Sequence, residues 1–390
     1  MKVDEIAPTF AAGSNPPSVP KLPARDFIVI PLISLITVIF IFGAAEIATR
    51  AFWPEQSEDI CVHKDQFGVL RAQPNCTSTT KIPEGPAVTY RFNECGYRTP
   101  DSCGVKPIGA LRIVMLGSSI TEGLHVPYEQ TFAERTARAV AQATGRKVQI
   151  ENLGLATLSP LNCYHKVDEA IALHPDIAVY AVAPFDLDQA MDPLQLANRN
   201  HPQAVPQGPL AHYAKPTLLK TLQGALNDSR AFLVAQHFLF SNTETFLRIY
   251  MAYGDKADYL RDPLSARWQA RYSDFDLVLT DMAARFHQAG IPLLLMAVPS
   301  RPEAALLSVS DPPPHSDGYA FDRTLQQMAA KLDVGYVDGI REFAGTPKSD
   351  HLFYIVESHI TGDGHALLAH ALVRKLLDGS VPSISERRVN

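Results

Sequence analysis

The sequence predicts an α/β fold: a doubly wound, flavodoxin-like parallel sheet of five strands with a helical insertion, preceded by one transmembrane helix. Three observations carry this expectation. Five short segments are near-continuous apolar runs: "RIVML" (112–116), "VQIEN" (148–152), "IAVYAV" (177–182), "PLLLMAV" (292–298) and "GYVD" (335–338). Strands buried on both faces read this way, as those of parallel sheets do. Helical patterns lie between them, and strands that alternate with helices imply right-handed crossovers and a sheet covered on both sides. The third observation is one long uncharged apolar stretch near the N-terminus.

Taken in order, residues 1–26 hold five prolines with little apolar periodicity and are expected to be a disordered cytoplasmic tail. "FIVIPLISLITVIFIFGAA" (27–45) carries no charge and approaches the ~20 apolar residues that span a bilayer, so 27–47 is expected to be a membrane helix, with a buried core helix or a signal peptide cut after "GAA" (43–45) as the alternatives. Lys2, Lys21 and Arg25 precede it and Arg50 follows, which places the N-terminus in the cytoplasm and the remainder outside it. Residues 48–110 are expected to be an irregular, turn-rich extracytoplasmic connector.

The main domain spans 111–380. Its helical pattern after the first strand stops at Gly145, the pattern "DFDLVLTDMAARFHQAG" stops at Gly290, and the last helix covers about 363–377. Residues 188–270 interrupt the alternation and are expected to be a helical insertion. For the five cysteines two readings stand. One pairs Cys61 with Cys76 and Cys95 with Cys103, leaving Cys163 free; the other treats all five as small apolar residues.

The net charge of −6, without a concentrated Lys/Arg stripe, argues against a nucleic-acid partner. Ligands of open α/β sheets bind beyond the carboxyl ends of the strands, and "GSSITEG" (117–123) occupies that position after the first strand. Ser119 is there as a nucleophile or as a helix cap. A serine hydroxyl needs a base. "ESHITGDGHALLAHAL" (357–372) offers His359, with Glu357 two residues earlier to orient the imidazole. Asp363 and His365 form a rival acid and base pair, and Asp338 and Asp350 are reserve acids. His351, His370 and the other histidines lack a His-Glu-x-x-His grouping, so neither a metal nor another cofactor is expected.

These residues resemble the SGNH (GDSL) hydrolases. Gly117, Ser118, Ser119 and Gly123 match the first block, Gly154 of "NLG" the second, and His359, Gly364 and His365 the last. "YRFNECGYRTPD" (90–101) is similar to a stretch of membrane-anchored bacterial members. The resemblance implies an oxyanion hole formed by the amides of Ser119 and Gly154. It also marks departures. Ser118 replaces the usual aspartate beside the nucleophile. "APFD" (183–186) puts Phe185 where the oxyanion asparagine stands, with Asp186 at the family's structural aspartate. Val356 occupies the position of the family's acid, while the Glu-x-His spacing is similar to the Asp-x-His of related membrane-bound acetyltransferases.

Resemblance, anchor and candidate triad together lead to the expectation of a serine esterase or O-acyltransferase in a bacterial cytoplasmic membrane, acting on ester groups of an extracytoplasmic acylated glycan. An acyl-transferring membrane protein is a further expected partner. The alternatives are a catalytically impaired glycan-binding or scaffolding protein, and a hydrolase of lipid or small esters.

Overall fold

The computed structural model describes residues 23, 25–57, 61–188, 191–201, 224, 228–381 and 384. Most of the tail expected over 1–26 lies outside them, as does part of the insertion. The chain forms two compact units, Met1–Ala48 and Thr49–Asn390. The N-terminal helix Asp26–Phe52 has no buried residue, contains an 18-residue stretch with a mean hydropathy of 2.8, and is long and apolar enough to cross a membrane. It runs past the expected span of 27–47.

The second unit is built on a parallel sheet of five strands, β1 (Leu111–Leu116), β2 (Val148–Asn152), β3 (Ile177–Val182), β4 (Leu293–Ala297) and β5 (Gly335–Asp338). Their spatial order is β5-β4-β3-β1-β2. This is the doubly wound order, and its direction reverses between β1 and β3, where a crevice opens at the carboxyl ends.

Alternate residues of each strand feed opposite faces. Ile113 and Met115 pack with Val179 and Met296 under α1 (Phe132–Thr144) and the C-terminal helix Gly362–Leu376. Val114 and Leu116 pack with Tyr180 and Leu295 under α2 (Ala266–Gln288) and α3 (Ala320–Lys331). Each large apolar side chain so buried contributes about 1.5–3 kcal/mol relative to exposure. The Thr131 hydroxyl caps α1 by accepting from the Glu134 amide at 3.3 Å, and Gly145, at φ 69°, ends it. The last helix, here α4, begins one residue before its expected start.

Two boundaries differ from expectation. Helix α2 starts at Ala266, inside the expected insertion of 188–270, because Ser265 caps it and Trp268, Tyr272 and Phe275 extend its buried stripe by a further two turns. The connector is also no loose spacer. It forms a three-stranded and a two-stranded antiparallel sheet, and Val88, Tyr90, Phe92 and Tyr97 enter the same core as β1 and β3. Cys61–Cys76 and Cys95–Cys103 are disulfide-bonded, with Cα separations of 5.9 and 6.2 Å, while Cys163 is free and buried. Within the insertion, Pro193–Ala197, Arg230–Phe240 and Thr243–Met251 are helical.

Candidate active site

Strand β1 delivers the chain to a tight turn at Gly117. Its φ is 151°, and an added Cβ would overlap the Thr121 hydroxyl and approach the Ala181 carbonyl oxygen at 2.8 Å. Only glycine fits there. Ser119 then opens the single-turn helix Ser119–Glu122, which Gly123 closes in the left-handed region at φ 83°. Buried Arg98 clamps this loop by donating to the carbonyls of Glu122 (2.8 Å), Gly123 (2.6 Å) and Val126 (2.7 Å). The "NECGYR" stretch therefore has a physical task. The Asn93 carboxamide oxygen accepts from the Cys95 and Tyr97 amides at 3.0 Å, forming the turn that presents Arg98.

Across the crevice the segment before α4 brings His359 to Ser119. Nε2 of His359 stands 2.8 Å from Ser119 Oγ, and Nδ1 stands 2.6 Å from Glu357 Oε1. Glu357 Oε2 also accepts from the His359 amide at 3.0 Å. The reversal between acid and base is made by Ser358, whose φ of 69° is unusual for a residue other than glycine. Burial opposes ionisation of Glu357, but hydrogen bonds from His125 and His359 outweigh it and hold the carboxyl down at about 2.

Two residues outside the sequence expectations complete the site. Glu84, from the connector, accepts from the amides of Val356 (2.9 Å) and Glu357 (3.1 Å) and meets His237 Nδ1 at 2.6 Å. His125 Nε2 lies 3.3 Å from Glu357 Oε1. The His125, Glu357 and His359 side chains place one ligand-type atom each within 4.8 Å of one another. Ligands on a tetrahedral zinc ion are ~3.3 Å apart. The 2.6 Å between His359 Nδ1 and Glu357 Oε1 is the spacing of a hydrogen bond, so this set as arranged holds protons.

The crevice is a cavity of about 430 Å³ walled by Ser119, Thr157, Leu158, Phe185 and His359 among others. Gly154 does not donate into it, because its amide is given to Asn152 Oδ1 at 3.0 Å. That glycine answers to packing, since an added Cβ would meet the Thr121 side chain at 2.6 Å and the Glu122 nitrogen at 2.8 Å. Thr157, three residues on, lines the cavity with a φ of 65°, and its amide has no acceptor among the described residues. Sequence reasoning missed it, because its signal is a backbone conformation. The Phe185 ring, 41% exposed, faces His359 at 6.1 Å between centroids.

The other candidates fall elsewhere. His365 is buried, accepts from the Phe132 amide through Nδ1 at 3.1 Å, and is pushed down to about 3 by burial. Asp363 is exposed on the first turn of α4. The rival acid and base pair is thus not assembled. Asp338 caps a helix by accepting from the Arg341 amide, Asp350 is buried against Arg301 at 3.5 Å, and His370 meets Glu342. His351 Nε2 is 4.0 Å from Asp350. Cys163 is no nucleophile in this setting, since burial pushes its thiol up to about 12.

Asp186 is half-buried at the edge of the crevice, where its carboxyl oxygen accepts from the Ala183 amide at 2.8 Å. Burial raises it to about 7, against an ordinary 3.8, and the Ser118 hydroxyl offsets only part of that. Between these values the folded protein keeps a proton that the unfolded chain has released, so this group's contribution to stability falls as pH rises. Asp186→Asn keeps an acceptor for Ala183 and removes the titration. It is expected to melt roughly 2–6 °C above the wild type at pH 8 and to match it at pH 4. Melting curves at both pH values check this, and an offset independent of pH counts against it.

No family model matches the sequence, and no curated protein matches it. Similar solved structures include a variant of an acetyl-xylooligosaccharide esterase from Geobacillus Stearmophilus, at 12% identity and a TM-score of 0.38, covering 73% of this chain and 99% of that one. A lipase/acylhydrolase from Enterococcus faecalis is similar at 14% identity, 68% and 95% coverage and a TM-score of 0.38. The structure of TesA is similar at 12% identity, 68% and 98% coverage and a TM-score of 0.38.

Proposed function

We propose that the protein is a membrane-anchored, SGNH-type serine esterase or O-acyltransferase that works through an acyl-enzyme. The observation that carries this reading is the unbroken chain of hydrogen bonds from Ser119 Oγ through His359 to Glu357, at 2.8 and 2.6 Å. His359 Nε2 takes the Ser119 proton as Oγ attacks the acyl carbon. The resulting imidazolium is stabilised by ionised Glu357 and returns the proton to the departing alkoxide. Water or a sugar hydroxyl then loses its proton to His359 and attacks the acyl-enzyme, releasing acid or a new ester.

The developing oxyanion is served by the amides of Ser119 and Thr157, at the crevice wall, with Phe185 in place of a third donor. Losing one such donor costs ~10²–10³ in rate. Phe185→Asn is therefore expected to raise kcat on an acetyl ester by about tenfold or more. Steady-state kinetics check it, and an unchanged or lower kcat with an intact fold argues that the apolar wall is part of substrate binding.

Anchoring through 27–47 and two disulfides near the anchor favour an extracytoplasmic domain, because such bonds persist in oxidising compartments. The substrate of this reading is an O-acetylated extracytoplasmic polysaccharide, with a membrane protein supplying acyl groups where the reaction is transfer. A fluorophosphonate probe on the detergent-solubilised chain tests the nucleophile. Labelling of the wild type and none of Ser119→Ala supports it, while an unlabelled wild type supports an impaired, glycan-binding relative instead. Supplying an acetyl ester with and without oligosaccharide separates transfer from hydrolysis: acetylated sugar supports the first, and release of acetate alone supports the second.

A further inference from the structure

The carboxylate of the proposed triad carries a second imidazole that the acyl chemistry does not require. His125 Nε2 stands 3.3 Å from Glu357 Oε1, the oxygen that also faces His359 Nδ1 at 2.6 Å. The two imidazole rings meet edge to face, with centroids 5.5 Å apart and planes at 88°. His125 has a φ of 63°, in the left-handed region. A residue other than glycine stays there only when its surroundings fix it. Two tyrosines do so: the His125 amide donates to Tyr90 Oη at 2.7 Å, and the Tyr354 hydroxyl donates to the His125 carbonyl at 2.9 Å.

We propose that His125 is a positioning residue which, in its neutral form, donates Nε2–H to Glu357 Oε1 and fixes the rotamer that presents this oxygen to His359. The proposal rests on the triad reading above. The need for such a residue lies in the sequence. The acid is a glutamate two residues before the base, one methylene longer than an aspartate, and Val356 fills the position where the resembled family has its acid. The extra torsion has to be immobilised if the acid is to orient the imidazole. Glu84 holds the backbone of this segment, through the Val356 and Glu357 amides, and His125 holds the side chain.

Proton accounting gives the expected signature. Sharing Oε1 between two donors weakens its hold on His359 Nδ1–H. Without His125 the undivided oxygen favours the imidazolium of His359 more strongly, so His359 takes its proton at a higher pH. The groups facing His125 are Glu357 and His359 at its ring, the Tyr90 and Tyr354 hydroxyls at its backbone, and the Glu122 carboxyl, which acts on it electrostatically.

The test uses the full-length protein in detergent. His125→Phe, which keeps ring bulk without the donor, and His125→Ala are expected to lower kcat on an acetyl ester by about 10- to 100-fold with little change in KM. The acid limb of their kcat/KM profile moves to higher pH. His125→Gln, whose amide can donate to Oε1, restores most of the rate and the original limb. A His125→Phe or His125→Ala protein with wild-type kcat and limb overturns the proposal, as does a His125→Gln protein as damaged as they are. A readout free of turnover is the ¹³C-histidine NMR titration of His359 in a Ser119→Ala background. If the wild type turns over no ester, the proposed function fails, yet this titration still decides on His125: a raised His359 midpoint upholds its contact with Glu357, and equal midpoints overturn it.

Discussion

Ser119→Ala is expected to lower kcat/KM on an acetyl ester by about 10⁴- to 10⁶-fold, and His359→Ala by a similar factor. In the proposed mechanism the two residues act as one device. Without the hydroxyl there is nothing for Nε2 to deprotonate, and without Nε2 the hydroxyl at 2.8 Å remains a weak nucleophile. The double variant should therefore be no slower than either single one. Ser119 is buried, and its side chain's polar contact is with His359, so replacing it by alanine leaves the Arg98 clamp and the Gly117 turn in place. The melting temperature should shift little. Kinetics on the three variants check the prediction, and single losses that add in the double would separate the two residues into independent roles.

How much of the fold and site was legible in the sequence depended on whether the signal was local. The five sheet strands could be read because burial on both faces forces near-continuous apolar runs, and the crevice position of Ser119 came from its place after β1. His359 and Glu357 could be read as a candidate base and acid because they sit two residues apart ahead of a helix. Glu84 and His125 could not be read. One comes from the connector and the other from the loop after Gly123, and nothing in their neighbourhoods announces that folding sets them against residues 356 and 357. The connector looked irregular because strands of two to five residues are too short for a period, yet it contributes Arg98, Tyr90 and Glu84 to the site. Gly154 matches a motif glycine, but close packing against Thr121 explains it without a donor role. Thr157 carried no sequence signal, since its qualification is a positive φ at the crevice wall.

Glu357→Gln is expected to lower kcat by about 10³- to 10⁴-fold while leaving KM within a few-fold. The carboxylate only accepts, so His359 must carry its proton on Nδ1 and present a bare Nε2 to Ser119. A carboxamide that turns its NH₂ group to Nδ1 reverses this tautomer and aims an N–H at the serine, where it cannot take a proton. If the amide oxygen faces Nδ1 instead, the tautomer survives, but the negative charge that stabilises the imidazolium is gone. Glu357→Asp keeps the charge and shortens the reach from this backbone position, so it should fall between the wild type and glutamine. Because the Glu357 carboxyl is held at about 2, below its ordinary 4.5, it stays ionised as pH falls from 7 to 4. Its share of stability is thus complete above the unfolded value and lost only as pH falls through about 2. The wild-type kcat/KM profile should accordingly show no limb between pH 4 and 7 that Glu357→Gln removes; such a limb would show that the carboxyl titrates in that range.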